Sequence, residues 1–358
     1  MSKSAGLELL VGARAYAGWK SISVQRSMEQ CAGSFRLGVS ERWNVLEPVQ
    51  EVRAGQSCEL QIDGETVITG YVDQVEMTIG DEEHAVELTG RDKTADLVDC
   101  SAIRKAGQWR GLHIEQIATE LAKPFGVSVS AQVDTGKPLT SFALQEGETV
   151  FDAMVRAARI RGLLLVTDGR GGLVITRAGT ERIATPLVLG SNLLKASVKV
   201  DMRDRHSEYL LKGQAPGSDF FNAAAAAHVF ARAKDPGVGR YRPLIITADS
   251  PDIAATLAQR ASWEANVRMA RSLAVEVTVQ GWRHADGLWM PNRLVHVDAQ
   301  ALHLADDLLI SSVEYSLSDE GGTTTKMGLT RADAFKVLPI KNNDLGAGYW
   351  SLPPKGAK

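Results

Sequence analysis

The chain has few cysteines, few aromatic side chains, little net charge and no long apolar run. Its 358 residues hold three cysteines, Cys31, Cys58 and Cys100. They are odd in number and far apart, and they form neither a CxxC pair nor a Cys/His cluster, so there is no metal signature. Reduced, partly buried thiols of a protein folded in a cytosol are expected. Forty basic side chains against 43 acidic ones leave a net charge of −3, which argues against nucleic acid or an anionic membrane as the main partner. No stretch approaches the roughly 18 apolar residues that a membrane helix needs. Gly12 and Arg14 break the N-terminal segment before it can form the apolar region of a signal peptide, so a soluble chain without a standard export signal is expected. The P-loop, the GxSxG elbow, HExxH and a Rossmann fingerprint after a strand are all missing from the sequence.

What is present is glycine, 33 residues of it, beside only 6 % aromatics. That balance points to many turns and much β-structure. At about 150 residues per domain the length gives two to three domains. Residues 1–98 read as short antiparallel strands, for example the alternating Ser21–Val24 and Phe35–Val39, with hairpins at Asp63-Gly64 and Gly80-Asp81. Residues 99–185 switch to helical periodicity. Ile114, Ile117, Ala118 and Leu121 form one stripe, and Val150, Phe151, Met154, Val155 and Ala158 form another, closed by Gly162 as a C-cap. A hairpin follows at Asp168–Gly172. Strands return over 186–335, interrupted by an inserted, mobile loop at 215–242 and by a helix over 250–271 with Ser250 as N-cap and Pro251 at its first position. Near the end, Leu309, Ser311, Val313, Tyr315 and Leu317 are expected to share a face. Residues 336–358 read as an extended tail. The fold class is therefore mainly β with α+β: two related small antiparallel β-barrels flanking an α/β module.

The residues that could carry chemistry give weak patterns. His296 and His303 lie near Asp298, Asp306 and Asp307, but Val295–Asp298 alternates, which puts His296 and Asp298 on the polar face of a strand. Glu82/Glu83 and Asp306/Asp307 are adjacent carboxylates, which point apart rather than across a sugar. The glycines at 169–172 belong to a hairpin rather than a phosphate cradle. Arg91-Asp92-Lys93 reads as an ion-paired corner where the first β region meets the middle module. Trp263, Trp282 and Trp289 are concentrated in a chain poor in aromatics, and core positions are expected for Trp263 and Trp282. Tyr349 and Trp350 sit in a tail with no core of its own, which makes them partner-docking candidates. Arg91, Asp92 and Lys93 are carried as further interface candidates. No catalytic, cofactor or metal site is assigned.

Several blocks resemble one known family. Gly281-Trp282-Arg283-His284, Gly287–Asn292, Leu294–Val297 and Leu308–Thr325 are similar to the second barrel of phage Mu-type baseplate hub proteins. Arg240–Leu244, Trp263–Asn266, Gly70-Tyr71-Val72 and Gly90–Ser101 fit the same pattern. The resemblance spans about residues 6 to 335 and extends to the late-control-D-like hubs and the T-even central hub. It implies a homotrimeric ring of paired barrels, pseudo-six-fold, that joins the six-fold tail tube and baseplate wedge proteins to a three-fold central spike and forms a conduit for DNA without binding it specifically. It implies a virion component assembled in the host cytoplasm, with no enzyme activity, no cofactor and no membrane partner. Gly147–Gly162 resembles a LysM motif whose second helix is replaced by the Leu163–Thr176 hairpin, and it is read as a packing or docking surface. The competing expectation is a tail-associated peptidoglycan-binding protein or cell-wall hydrolase.

Overall fold

A computed structural model describes residues 6–40, 52–79, 84–104, 107–213, 229–248 and 257–338. The first β region contains β1 (Leu7–Val11), β2 (Arg14–Tyr16), β3 (Ser21–Ser27), β4 (Ser34–Ser40), β5 (Ser57–Ile62), β6 (Glu65–Ile79) and β7 (His84–Asp92). The β5–β6 turn forms as the sequence predicts: Asp63 and Gly64 both take positive φ, at 51° and 81°. This is the backbone geometry that matches a two-residue turn to the twist of its strands.

The middle module follows with α1 (Ala95–Asp99), β8 (Gln108–Leu112), α2 (Ile114–Ala122), β9 (Ser128–Ala131), β10 (Leu139–Ala143), α3 (Val150–Arg159), β11 (Leu164–Thr167) and β12 (Gly172–Thr176). Thr149 caps α3 by accepting from the Asp152 amide at 3.1 Å. At the other end Gly162 takes φ +65° and the Leu163 amide reaches back to the Ala158 carbonyl at 3.1 Å, which satisfies a carbonyl the helix leaves open. The module has its own core around Ile117, Leu121, Met154 and Ile175, and Cys31 from the first β region enters it.

The last region holds β13 (Leu187–Val188), β14 (Leu193–Val200), β15 (Glu208–Gly213), β16 (Val229–Lys234), β17 (Pro243–Ala248), α4 (Leu257–Arg271), β18 (Leu273–Gln280), β19 (Arg283–His284), β20 (Gly287–Leu288), β21 (Leu294–Ala299), β22 (Leu304–Ser318) and β23 (Gly322–Thr330). Part of the stretch expected as a loop is ordered: β16 pairs with β15, β17 pairs with its other edge, and α4 covers the face formed by Tyr209, Leu211, Ala231 and Ala233. Residues 214–228, with the alanine run, lie outside the described residues, as do Ser250, Pro251 and the start of the expected helix.

The two β regions are built alike. The first runs in the order β3-β4-β7-β6-β5 and the second in the order β14-β18-β23-β22-β21. The closing strands have 6, 15 and 9 residues in both, β5, β6 and β7 against β21, β22 and β23. Both long strands carry a bulge near their middle, at Asp73 and at Ser311. Among the described residues neither set closes into a barrel. Instead they join edge to edge, because β22 pairs antiparallel with β3 from Ser312↔Ser27 to Leu317↔Ile22. A single core runs through both, with Ile22, Val24, Leu37 and Leu60 from the first and Val277, Trp282, Val313 and Tyr315 from the second.

The bulge corrects one expectation. One extra residue shifts the alternation by a step. Leu308 and Ile310, rather than Leu309 and Ser311, therefore join Val313 and Tyr315 in that core.

Candidate functional site

The Arg91–Lys93 segment is the corner that the sequence predicts. It ends β7, and each of its three side chains ties down a different element. The Arg91 guanidinium lies 2.7 Å from Asp73 on β6 and 2.9 Å from Asp99 on α1. These paired carboxylates push its already high pKa up further. Lys93 donates to the Gly126 carbonyl at 2.8 Å, beyond the end of α2. Asp92 is only 1 % exposed. It accepts from the Thr94 amide and hydroxyl, both at 3.0 Å, and from the Thr167 hydroxyl at 2.8 Å. Burial nevertheless dominates and raises the Asp92 carboxyl above its usual range. Arg26 from β3, also buried, points into the same region, with one nitrogen 3.2 Å from Met290 Sδ and another 3.5 Å from the Thr167 carbonyl. First region, middle module and last region thus meet at one polar joint.

The other candidates settle into structural places. His296 bonds Asp307 at 2.7 Å, and Arg182 lies 3.2 Å from the same carboxylate. Among the described residues there is no group of three or more His, Cys, Asp or Glu that could hold a metal ion. Glu82 and Glu83 lie outside the described residues. In the Asp168–Gly172 hairpin, the Asp168 carboxylate accepts from the Arg170 and Gly172 amides at 2.6 and 2.8 Å, so those donors face their own turn. Burial pushes the Cys31 and Cys58 thiols up to about 12, which leaves almost no thiolate at neutral pH. Trp282 and Trp289 are core residues, as Trp282 was expected to be. Trp263 is only half-buried and donates to the Lys336 carbonyl at 2.7 Å. Tyr349 and Trp350 lie outside the described residues.

Two surfaces of a different kind escaped the sequence reading. β5 flanks β6 only as far as Tyr71. Beyond the Asp73 bulge, Gln74–Ile79 pairs with β7 on one side, and no described strand lies on the other. The apolar face of that ribbon leaves the core progressively, from buried Leu88 through Val75 to Met77 at 51 % and Ile79 at 73 % exposure. At the far end of the sheet, β14 pairs with β18, and among the described residues its other edge meets only a single bridge, Leu189↔Leu193. Val200 there is 61 % exposed. Long open edges are where sheets add strands from other chains.

A duplicated strand set around one core, with a polar joint to the middle module, is the frame of the molecule, and comparison with known proteins identifies its family. Residues 6–92 match the family described as Mu phage baseplate assembly protein GpP-like, N-terminal, and residues 253–338 match the fourth domain of the Mu phage baseplate assembly protein GpP. Residues 94–177 match the second domain of baseplate hub protein gp44-like proteins. The chain is 38 % identical over 342 residues to the baseplate hub protein gp44 of Escherichia phage Mu, which covers 92 % of this chain and 88 % of that one. Its fold is similar to the 43 kDa tail protein of prophage MuSo2 from Shewanella oneidensis, with a TM-score of 0.82, 34 % identity and coverage of 93 % and 99 %. A tail protein from Neisseria meningitidis matches with a TM-score of 0.74 at 23 % identity over the same shares of the two chains. The chain belongs to the family of Mu-type phage baseplate hub proteins.

Proposed function

We propose that the chain is a structural hub: three copies form a ring at the tip of a contractile tail, between the tail tube and baseplate wedge proteins above and the central spike below. The observation that carries this reading is the duplication. Each copy supplies two strand sets of identical order, joined by one strand pair, so three copies present six equivalent units. Each set forms one barrel-like unit of the ring, and the lumen serves as the conduit for DNA. A net charge of −3 fits a passage that DNA must leave freely. The hub carries out no chemistry of its own, needs no cofactor and touches no membrane. It is built in the host cytoplasm and ends in the virion. The joint at Arg91, Asp92 and Lys93 fixes the attitude of the middle module toward the neighbouring tail protein, and Tyr349 and Trp350 dock the spike.

Mass measurement in solution by light scattering tests the ring. A trimer at micromolar concentration is expected, and a monomer throughout the accessible range overturns it. A zymogram on peptidoglycan tests the competing hydrolase reading. No clearing is expected, and clearing abolished by one Asp or Glu substitution would replace the structural reading with an enzymatic one.

A further inference from the structure

Among the described residues, the small sheet of β16, β15 and β17 is covered on one face only. There α4 lies over Tyr209, Leu211, Ala231 and Ala233, with Leu244 and Ile246 packed beside them. On the opposite face Phe230 is 63 % and Ile245 55 % exposed, and Leu210 stands between them, half-buried. We propose that this bare face docks an acidic amphipathic helix of another tail protein, which completes a helix–sheet–helix sandwich on the hub. This rests on the hub reading above and adds to it a surface for a different protein.

The strands carry the pattern of a sheet covered on both sides. Tyr209-Leu210-Leu211 and Leu244-Ile245-Ile246 are continuous apolar runs, which mark strands buried on both faces, whereas a strand with one face in water alternates. β17 also pairs parallel with β15, a pairing that typically occurs where both faces are covered. On β16 the two faces are loaded the wrong way round for a sheet that turns one side to solvent. The small Ala231 and Ala233 meet α4, and the large Phe230 looks outward.

The register fixes the layout of the bare face. Arg232, Leu210 and Ile245 lie in one row across the sheet, Phe230, Lys212 and Thr247 in the row on one side of it, and Lys234 and Glu208 in the row on the other. An apolar band therefore crosses all three strands from Phe230 through Leu210 to Ile245, with Lys212 on one flank and Lys234 on the other. The one carboxylate among these positions, Glu208, is taken by Arg232 at 2.9 Å. Lys212 and Lys234 are exposed and make no ion pair among the described residues. A helix whose apolar stripe carries Asp or Glu on both sides meets each feature, its stripe on the band and its carboxylates on the two ammonium groups. DNA fits this face poorly. Its phosphates could meet the two lysines, but the aliphatic Leu210 and Ile245 offer neither a stacking platform for bases nor a donor to their edges.

The photo-reactive residue p-benzoylphenylalanine in place of Thr247 tests the face in assembled tails, because that position borders the apolar band without belonging to it. After irradiation of purified tails, a cross-link is expected to a tail protein other than the hub, in a segment whose apolar residues recur every three or four positions between Asp or Glu. K212E/K234E and, separately, F230S should each lower its yield about tenfold or more, since the first sets like charges against the partner's carboxylates and the second removes the apolar anchor. Both changes lie on an exposed face, so the circular dichroism and the mass in solution of the free hub should match those of the parent protein. A cross-link only to another copy of the hub, to DNA, to residues 214–228 of the same chain or to a segment without acidic flanks overturns the docking. So does a yield that neither variant lowers, or no cross-link in tails that contain the hub, and the hub reading then stands. Tails that lack the chain altogether overturn both.

Discussion

At the residue scale, one buried ion pair dominates the small unit formed by β15, β16, β17 and α4. Arg205 donates to Asp235 through two nitrogens at 2.7 and 2.8 Å, and Asp235 is almost wholly enclosed. The guanidinium holds the Asp235 carboxyl below its usual range. A carboxyl lowered on folding binds fewer protons in the folded state than in the unfolded one, so its stabilisation is present above the ordinary carboxylate pKa and is lost as pH falls through the lowered value. Asp235→Asn should therefore cost about 3 kcal/mol at pH 7, the usual penalty for stranding one member of a buried pair. That difference from wild type should shrink on acidification toward pH 3. Urea melts at several pH values measure both. The Asp92 carboxyl, raised rather than lowered, should show no such acid-side loss.

At the element scale, the two bulged strands make opposite demands on the same device. In β22 the strand beyond Ser311 is covered on both sides, by β23 and by β3, and its Val313 and Tyr315 fill the core. Deleting Ser311 would turn both residues outward and should leave little soluble protein. In β6 the strand beyond Asp73 is held by β7 alone and already leads Met77 into solvent. Deleting Asp73 should leave a folded, soluble chain that has lost the exposed Arg91 ion pair. Soluble yield, circular dichroism and mass in solution separate the two outcomes.

These strands also show what the sequence could reveal. Asp63-Gly64 and Gly162 were legible because each sits where φ must be positive, and α3 was legible because its apolar stripe and its Gly162 stop agree. The corner at Arg91–Lys93 was legible as adjacent opposite charges at a change of period. The Ser311 bulge was not, since an extra residue in an alternating strand leaves the composition unchanged. β16 was hidden for a different reason: its small Ala231 and Ala233 face α4 while the large Phe230 faces solvent, which inverts the usual pattern. Open edges depend on which strands fail to meet, and only the assembled topology reveals that.

At the scale of the whole molecule, the described residues form one sheet path carrying two excursions, the middle module between the repeats and the β15–α4 unit within the second. Nothing in that path requires residues 340–358. Deleting them should leave the trimer intact and weaken spike binding, as measured by co-sedimentation with the spike protein. Unchanged binding would remove Tyr349 and Trp350 from the docking role.

The strand pair between β22 and β3 also has a consequence in time. Its hydrogen-bonded side chains, Ser23 and Glu314, are 291 positions apart. A ribosome releases β3 long before β22 exists, and contacts so distant in sequence form late. Throughout synthesis the nascent chain carries a bare strand edge that will accept any strand of matching pattern, including the repeat of its intended partner on a neighbouring chain. The duplication therefore sets a hazard during translation: one edge of β3, paired early with β4 on its other side, must wait for β22, nearly the last strand made.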